Sequence, residues 1–136
     1  MMMSKRGRIL IVDDSKFIRI ILRKLLTRQG YEIVGEAYDG TSAIQKYREL
    51  KPDLVLMDII LPDPTMNGIE TIKWIIKIDP TALIIIVSAM EHQGLINEAL
   101  VAGAKNYCVK PFETNELIQI IDKVFKESIE SKQGRR

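Results

Sequence analysis

Five side chains able to do chemistry sit at the ends of short apolar runs. Asp13 and Asp14 follow Arg8-Ile-Leu-Ile-Val12, Asp58 follows Leu54-Val-Leu-Met57, Ser88 closes Ala82-Leu-Ile-Ile-Ile-Val87, and Lys110 follows Asn106-Tyr-Cys-Val109. If these runs are neighbouring parallel strands, three carboxylates, a hydroxyl and an ammonium share one rim. Crowded carboxylates raise one another's pKa unless a cation neutralises them. A donor set made of oxygen, with room for water, favours Mg²⁺. Such a rim suits phosphoryl transfer. The cation and Lys110 would neutralise charge on the transferring oxygens, Ser88 would donate a hydrogen bond to another, and Asp58 would be the nucleophile that becomes an aspartyl phosphate. Taken singly, each residue has a plainer explanation: aspartates at strand ends shape turns, Asp14 or Ser15 is placed to cap the next helix, and a lone lysine or serine is usually solvated. The joint pattern is what favours the site.

The elements that must position these residues are legible as alternating patterns. The four apolar runs read as strands, and Glu32-Ile-Val-Gly-Glu-Ala37 reads as a fifth, more polar one. Unbroken Val, Ile and Leu implies strands covered on both faces of a parallel sheet, and the mixed fifth run suits an edge. Between the strands, apolar residues recur at helical spacing: Phe17 to Leu26 with Gly30 as a stop, Ala43 to Tyr47, Ile69 to Ile76, Leu95 to Ala102 closed by Gly103, and Leu117 to Phe125 with Thr114 as N-cap. Strands each followed by a helix predict a doubly wound α/β fold with right-handed crossovers. In such sheets ligands bind beyond the carboxyl ends of the strands, where the five side chains lie.

At 136 residues the chain suffices for one domain, and 46% hydrophobic with 28% charged residues is a globular balance. Residues 1–7 read as an N-terminal extension, 8–127 as the domain and 128–136 as a polar tail that frays. A net charge of +2 gives no reason to expect nucleic acid as a partner. Cys108, the single cysteine, cannot form an internal disulfide and reads as a buried thiol in a reducing compartment. The longest apolar run falls well short of the ~20 residues a membrane-spanning helix needs, and the first residues lack the apolar core of a signal peptide. A cytoplasmic location is expected.

Together, Ile11-Val12-Asp13-Asp14, Asp58 after its apolar strand, Pro62 with Asn67-Gly68, Ser88-Ala89 and Val109-Lys110-Pro111-Phe112 resemble the receiver domain of two-component response regulators, over about Arg8 to Phe125. The resemblance implies a flavodoxin-like sheet of five parallel strands in the order 2-1-3-4-5 with five helices. It implies that Asp58 accepts a phosphoryl group from a phosphohistidine of a sensor kinase or phosphotransfer protein, in a Mg²⁺-dependent reaction the domain itself catalyses, as it does the reversal. Asp14, Asp58 and the Ile60 backbone carbonyl would be direct Mg²⁺ ligands and Asp13 would act through water. Ser88 and Tyr107 match the family's paired switch positions, Lys110 would contact the phosphoryl oxygens, and the Lys110–Pro111 bond would be cis. Phosphorylation would remodel the surface of the fourth helix, fifth strand and fifth helix, where a downstream protein docks. The expected product is a monomeric, chemotaxis-type signalling protein rather than an enzyme.

The loop from Ile59 to Gly68 departs from the common family form by two extra residues, with Asp63-Pro64 as the insertion. Ile60 and Met90 are apolar at positions whose side chains influence dephosphorylation. Three other functions compete with a target-binding regulator. A relay intermediate would pass the phosphoryl group onward. A phosphohydrolase would carry an acid-base Asp two residues after its nucleophile, where this chain has Ile60. Flavin binding would need a phosphate loop where Asp13-Asp14 repels anions.

Overall fold

The computed structural model describes residues 6–89 and 93–134. The strands are β1 (Arg8–Val12), β2 (Glu32–Ala37), β3 (Leu54–Met57), β4 (Ile84–Ala89) and β5 (Asn106–Lys110). They alternate with α1 (Lys16–Arg28), α2 (Gly40–Leu50), α3 (Gly68–Ile78), α4 (Gln93–Ala102) and α5 (Thr114–Gly134). All pairings are parallel and the order is β2-β1-β3-β4-β5, with polar β2 at an edge as expected.

The unbroken apolar runs follow from the two faces they must fill. Successive strand residues point to opposite faces. Leu10, Val12, Val55, Met57, Ile84 and Ile86 enter a core closed by α2, α3 and α4, through residues such as Ala43, Ile72 and Ile96. Ile9, Ile11, Leu54, Leu56, Ile85 and Val87 enter a second core closed by α1 and α5, through Leu22, Leu26, Leu117 and Ile121. Cys108 is buried in that second core as a free thiol. Burial, with the Glu116 charge, pushes its pKa up to about 11, the opposite of what a reactive cysteine needs.

Helix ends are set by local hydrogen bonds. Ser15, not Asp14, caps α1: its Oγ accepts from the Ile18 N–H at 3.2 Å. At the other end Gly30 takes φ +95°, Gly30 N–H donates to Thr27 and Tyr31 N–H to Leu26, a left-handed stop that closes the helix. Two expectations are corrected at α5. Thr114 is its first helical residue and the Glu113 carbonyl accepts the Leu117 N–H, so the cap position falls on Glu113. The polar stretch from Ser128, expected as a frayed tail, continues the helix to Gly134. The turns before it are packed: Phe125 meets Gly7 and stacks with Tyr31, which is also tied to α5 by a hydroxyl hydrogen bond to Asp122. Residues 1–5 of the N-terminal extension lie outside the described residues.

The loop after β3, where the family resemblance leads one to expect two extra residues, contains a single 3₁₀ turn, Pro64–Met66. Asp63 caps it by accepting from both the N–H and the hydroxyl of Thr65, and Met66 lies against Gly40 at the start of α2. Asn67 then caps α3 by accepting from the Glu70 N–H. Gly68 lets the two chain segments touch. Its N–H donates to the Ile59 carbonyl at 2.7 Å, and a Cβ there would lie 2.5 Å from the Ile59 Cα. The clash is with backbone rather than a movable side chain. Gly68→Ala should therefore cost about 1–3 kcal/mol by overpacking, read as a lower urea midpoint. An unchanged midpoint would show that the loop yields freely.

Candidate functional site

Register brings the acidic residues together. Val12 pairs with Met57, and the Asp58 N–H donates to the Val12 carbonyl at 2.9 Å, so the residues just beyond β1 and β3 stand side by side. Ala89 pairs with Lys110 on the far side of β4, which aims the lysine back across the strand ends. Its Nζ donates to Asp13 Oδ2 at 2.9 Å and to Asp58 Oδ2 at 3.1 Å. Ser88, fully buried, donates from Oγ to Asp58 Oδ1 at 3.4 Å, a long contact. The Ile60 N–H donates to the same oxygen at 3.3 Å, and the Lys110–Pro111 bond is cis.

Asp13, Asp14 and Asp58 each offer a carboxylate oxygen within 4.8 Å of the others. Asp13 is buried and Asp58 nearly so, whereas Asp14 is exposed. One ammonium cannot balance three carboxylates. Burial pushes the Asp58 carboxyl above the usual range, Lys110 opposes this, Asp13 adds to it, and the net direction is up. Burial alone would lower Lys110, but its hydrogen bond to Asp13 and the charges of Asp58 and Asp13 win, holding the ammonium protonated. The site is thus built with surplus negative charge.

Plainer roles explain part of this arrangement and not the rest. Asp13 Oδ1 does shape a turn, accepting from the Ser15 N–H at 2.9 Å. The cap of α1 belongs to Ser15, however, which leaves Asp14 without the structural duty that would explain it. The donor set is oxygen throughout and one carboxylate faces solvent, which fits a hard divalent cation that keeps part of its water. Tyr107 stands opposite Ile86 on β5, half-buried against the core that holds Ile84 and Ile86, rather than in the carboxylate cluster. The Ile60 side chain is 45% exposed over the site, and Met90 lies outside the described residues.

Arg19 was not legible as part of this neighbourhood. Its NH1 donates to the Asp13 backbone carbonyl at 2.6 Å, and its Nε pairs with Glu36 at 3.0 Å, with Arg23 on the second Glu36 oxygen at 2.7 Å. An arginine on the second turn of a helix carries no motif, and only the β1–β2 pairing brings Glu36 beside Ile11. A cavity of about 410 Å³ lined by Arg6, Tyr47, Asp53, Asp79 and Lys132 opens elsewhere, near the start of β1. It holds none of the carboxylate cluster, whose chemistry lies at an open rim.

Residues 9–122 match the response regulator receiver domain family. The chain is 51% identical over 119 residues to the chemotaxis protein CheY of Thermotoga maritima, covering 88% of this chain and 98% of that one. Bacillus subtilis CheY is 46% identical, over 85% and 95%. Among solved structures, the CheX-CheY-BeF₃-Mg complex of Borrelia burgdorferi is similar with a TM-score of 0.80 and 35% identity, covering 87% of this chain and 88% of that one. A LuxR-family two-component response regulator of Aurantimonas gives a TM-score of 0.83 at 37% identity, over 91% and 87%.

Surplus charge has a measurable consequence. With divalent metal removed by EDTA at pH 7, Asp58→Asn should raise the urea midpoint above that of the parent, because Lys110 keeps Asp13 while one buried like charge is gone. A lower midpoint for the variant would mean that Lys110 already compensates the cluster.

Proposed function

The chain belongs to the response regulator receiver domain family, and we propose that it is a phosphorylation-driven switch whose acceptor is Asp58. The observation that carries this reading is convergence on one carboxylate: Lys110 and Ser88 both donate to Asp58 while Asp13 and Asp14 crowd it. Capping and turn formation give no reason for that convergence.

In the proposed reaction an Asp58 oxygen attacks the phosphorus of a phosphohistidine, the P–N bond breaks, and the donor leaves as free imidazole. Asp58 must attack as the carboxylate, and the ammonium 3.1 Å away favours that form against the burial that opposes it. Lys110 then has a phosphoryl oxygen to contact in place of the carboxylate oxygen it neutralised. Ser88, now 3.4 Å from Asp58, donates to another phosphoryl oxygen. Asp14, Asp58 and the Ile60 carbonyl would hold Mg²⁺ directly and Asp13 through water. When bound, the ion supplies charge neutralisation for the phosphoryl oxygens that one lysine cannot.

The switch would run through β4 and β5. Ser88 pairs with Val109 and Ile86 with Tyr107, so a displacement of the serine towards a phosphoryl group is felt one strand away. Tyr107, half-buried, then turns further into the core, and the surface of α4, β5 and α5 changes for a partner protein. Similarity to the chemotaxis protein CheY over nearly that protein's whole length supports a chemotaxis-type pathway; a histidine kinase as donor, a cytoplasmic location and a monomeric domain complete the proposed reading. The CheX-CheY complex among its structural relatives supports a protein partner for the phosphorylated form. Among the described residues no helix is long and apolar enough to cross a membrane. Ile60 in place of an acid-base aspartate argues against a phosphohydrolase.

Incubation with acetyl phosphate and Mg²⁺ should add a single phosphoryl group by intact mass, and Asp58→Asn should add none. Labelling of the variant at the parent's rate, or labelling that survives EDTA, contradicts the assignment. Mg²⁺ alone, at ten times its dissociation constant, should stabilise the parent by RT ln 11, about 1.4 kcal/mol.

A further inference from the structure

Asp13 is held at every polar atom. Its N–H donates to the Ala37 carbonyl at 3.0 Å, Oδ1 accepts from Ser15 N–H, Oδ2 accepts from Lys110, and its carbonyl accepts from Arg19 at 2.6 Å. The last of these acts on its neighbour. The Asp13 carbonyl and the Asp14 N–H belong to one planar peptide, so a donor that fixes the carbonyl also fixes where the Asp14 Cα sits, leaving φ of Asp14 as the one backbone torsion that sets how its side chain leaves. Asp14 is exposed and lies outside the sheet ladder, where little packing can orient it.

The guanidinium is itself held. Nε donates to Glu36 Oε1 while NH1 reaches Asp13, and Arg23 fixes the other Glu36 oxygen, so two rigid neighbours define the plane of the fork. The Arg19 side chain is only 16% exposed, and burial would raise the Glu36 pKa, yet hydrogen bonds from Arg23 and Arg19 lower it, keeping the carboxylate charged. A lysine has one donor centre and could serve the carbonyl or the carboxylate, but not both with the same geometry. A positive charge beside an acidic cluster that must collect a cation is electrostatically counterproductive. The Arg19 contacts are an ion pair with Glu36 and the bond to the Asp13 carbonyl, and only the second reaches the cluster.

Resting on the function proposed above, we propose that Arg19 is a positioning residue for the divalent-cation site, setting the Asp13–Asp14 peptide so that Asp14 faces the cation, with Glu36 as the group that aims it. Partners behind a metal ligand typically change affinity 10–100-fold when removed.

Charge and positioning predict opposite signs, which makes the experiment decisive. Mg²⁺ dissociation constants are measured by calorimetry and by the backbone amide shifts of Asp14, without any phosphodonor, for the parent, Arg19→Met, Arg19→Lys and Arg23→Ala. Positioning predicts roughly tenfold weaker binding for Arg19→Met, a smaller loss for Arg19→Lys, and for Arg23→Ala, which loosens Glu36 without touching Asp13, a loss smaller than that of Arg19→Met. If Arg19→Met binds Mg²⁺ as well as the parent or more tightly, Arg19 acts only through charge or general stability and the inference is overturned. Arg19→Lys, which keeps the charge, decides the matter should the Met variant not fold: unchanged affinity overturns the inference as well. A parent that binds no Mg²⁺ removes the cation site itself, a failure distinct from that of Arg19.

Discussion

Repulsion among carboxylates that the sheet forces together is the constraint around which this domain is organised. Asp13 and Asp58 extend adjacent strands, and one ammonium, from Lys110, bridges them. Nothing in their own interaction favours this meeting. It is enforced by strand pairing and by two apolar cores on opposite faces of β1, β3 and β4, where nearly every side chain is fully buried. Burial on that scale contributes far more than a charge cluster subtracts, since each fully buried aliphatic side chain contributes roughly 1.5–3 kcal/mol. The site is therefore unfavourable locally and tolerated globally, the condition expected of a place kept for chemistry.

Much of this was legible because the causes are local or periodic. Unbroken apolar runs announced strands covered on both faces, mixed Glu32–Ala37 announced an edge, and Gly30 and Gly103 marked helix ends where positive φ is needed. Asp58, Ser88 and Lys110 could be placed on one rim because parallel strands all end on the same side. Strand order was not in the periodicity. It came from family resemblance, and the structure has that order. What stayed hidden depends on tertiary partners. Asp14 and Ser15 are both good caps, and only the hydrogen bond to Ile18 distinguishes them. The polar residues after Ser128 look like a fraying tail, yet the helix persists beneath them. Arg19 and Glu36 are ordinary surface types until strand pairing brings Glu36 beside the end of β1.

The loop after β3 carries its own capped turn between the carboxylate cluster and the start of α3. Pro64–Met66 form a capped turn, with Met66 resting on Gly40, and Asn67 and Gly68 start α3 against Ile59. The turn projects outward, where Pro62 to Thr65 are exposed. Asp58 is approached on this side by the Ile60 N–H, and the half-exposed Ile60 side chain stands at the same rim. An apolar residue there presents no acid or base to an incoming water.

Burial and charge also separate the roles of Lys110 and Ser88, which donate to Asp58, from that of Arg19, which donates to the neighbouring Asp13 backbone. Lys110 is fixed by two carboxylates, so it cannot leave both without a new anion to meet. Ser88 has only a 3.4 Å contact to Asp58, near the limit for a hydroxyl, and is the donor with slack to take up. Arg19 donates to backbone and bonds to Glu36, contacts that a new anion at Asp58 would not replace. The arrangement therefore contains one charge anchor, one movable donor and one fixed brace. Ser88, the side-chain donor with the longest contact, lies on β4, whose paired strand is β5.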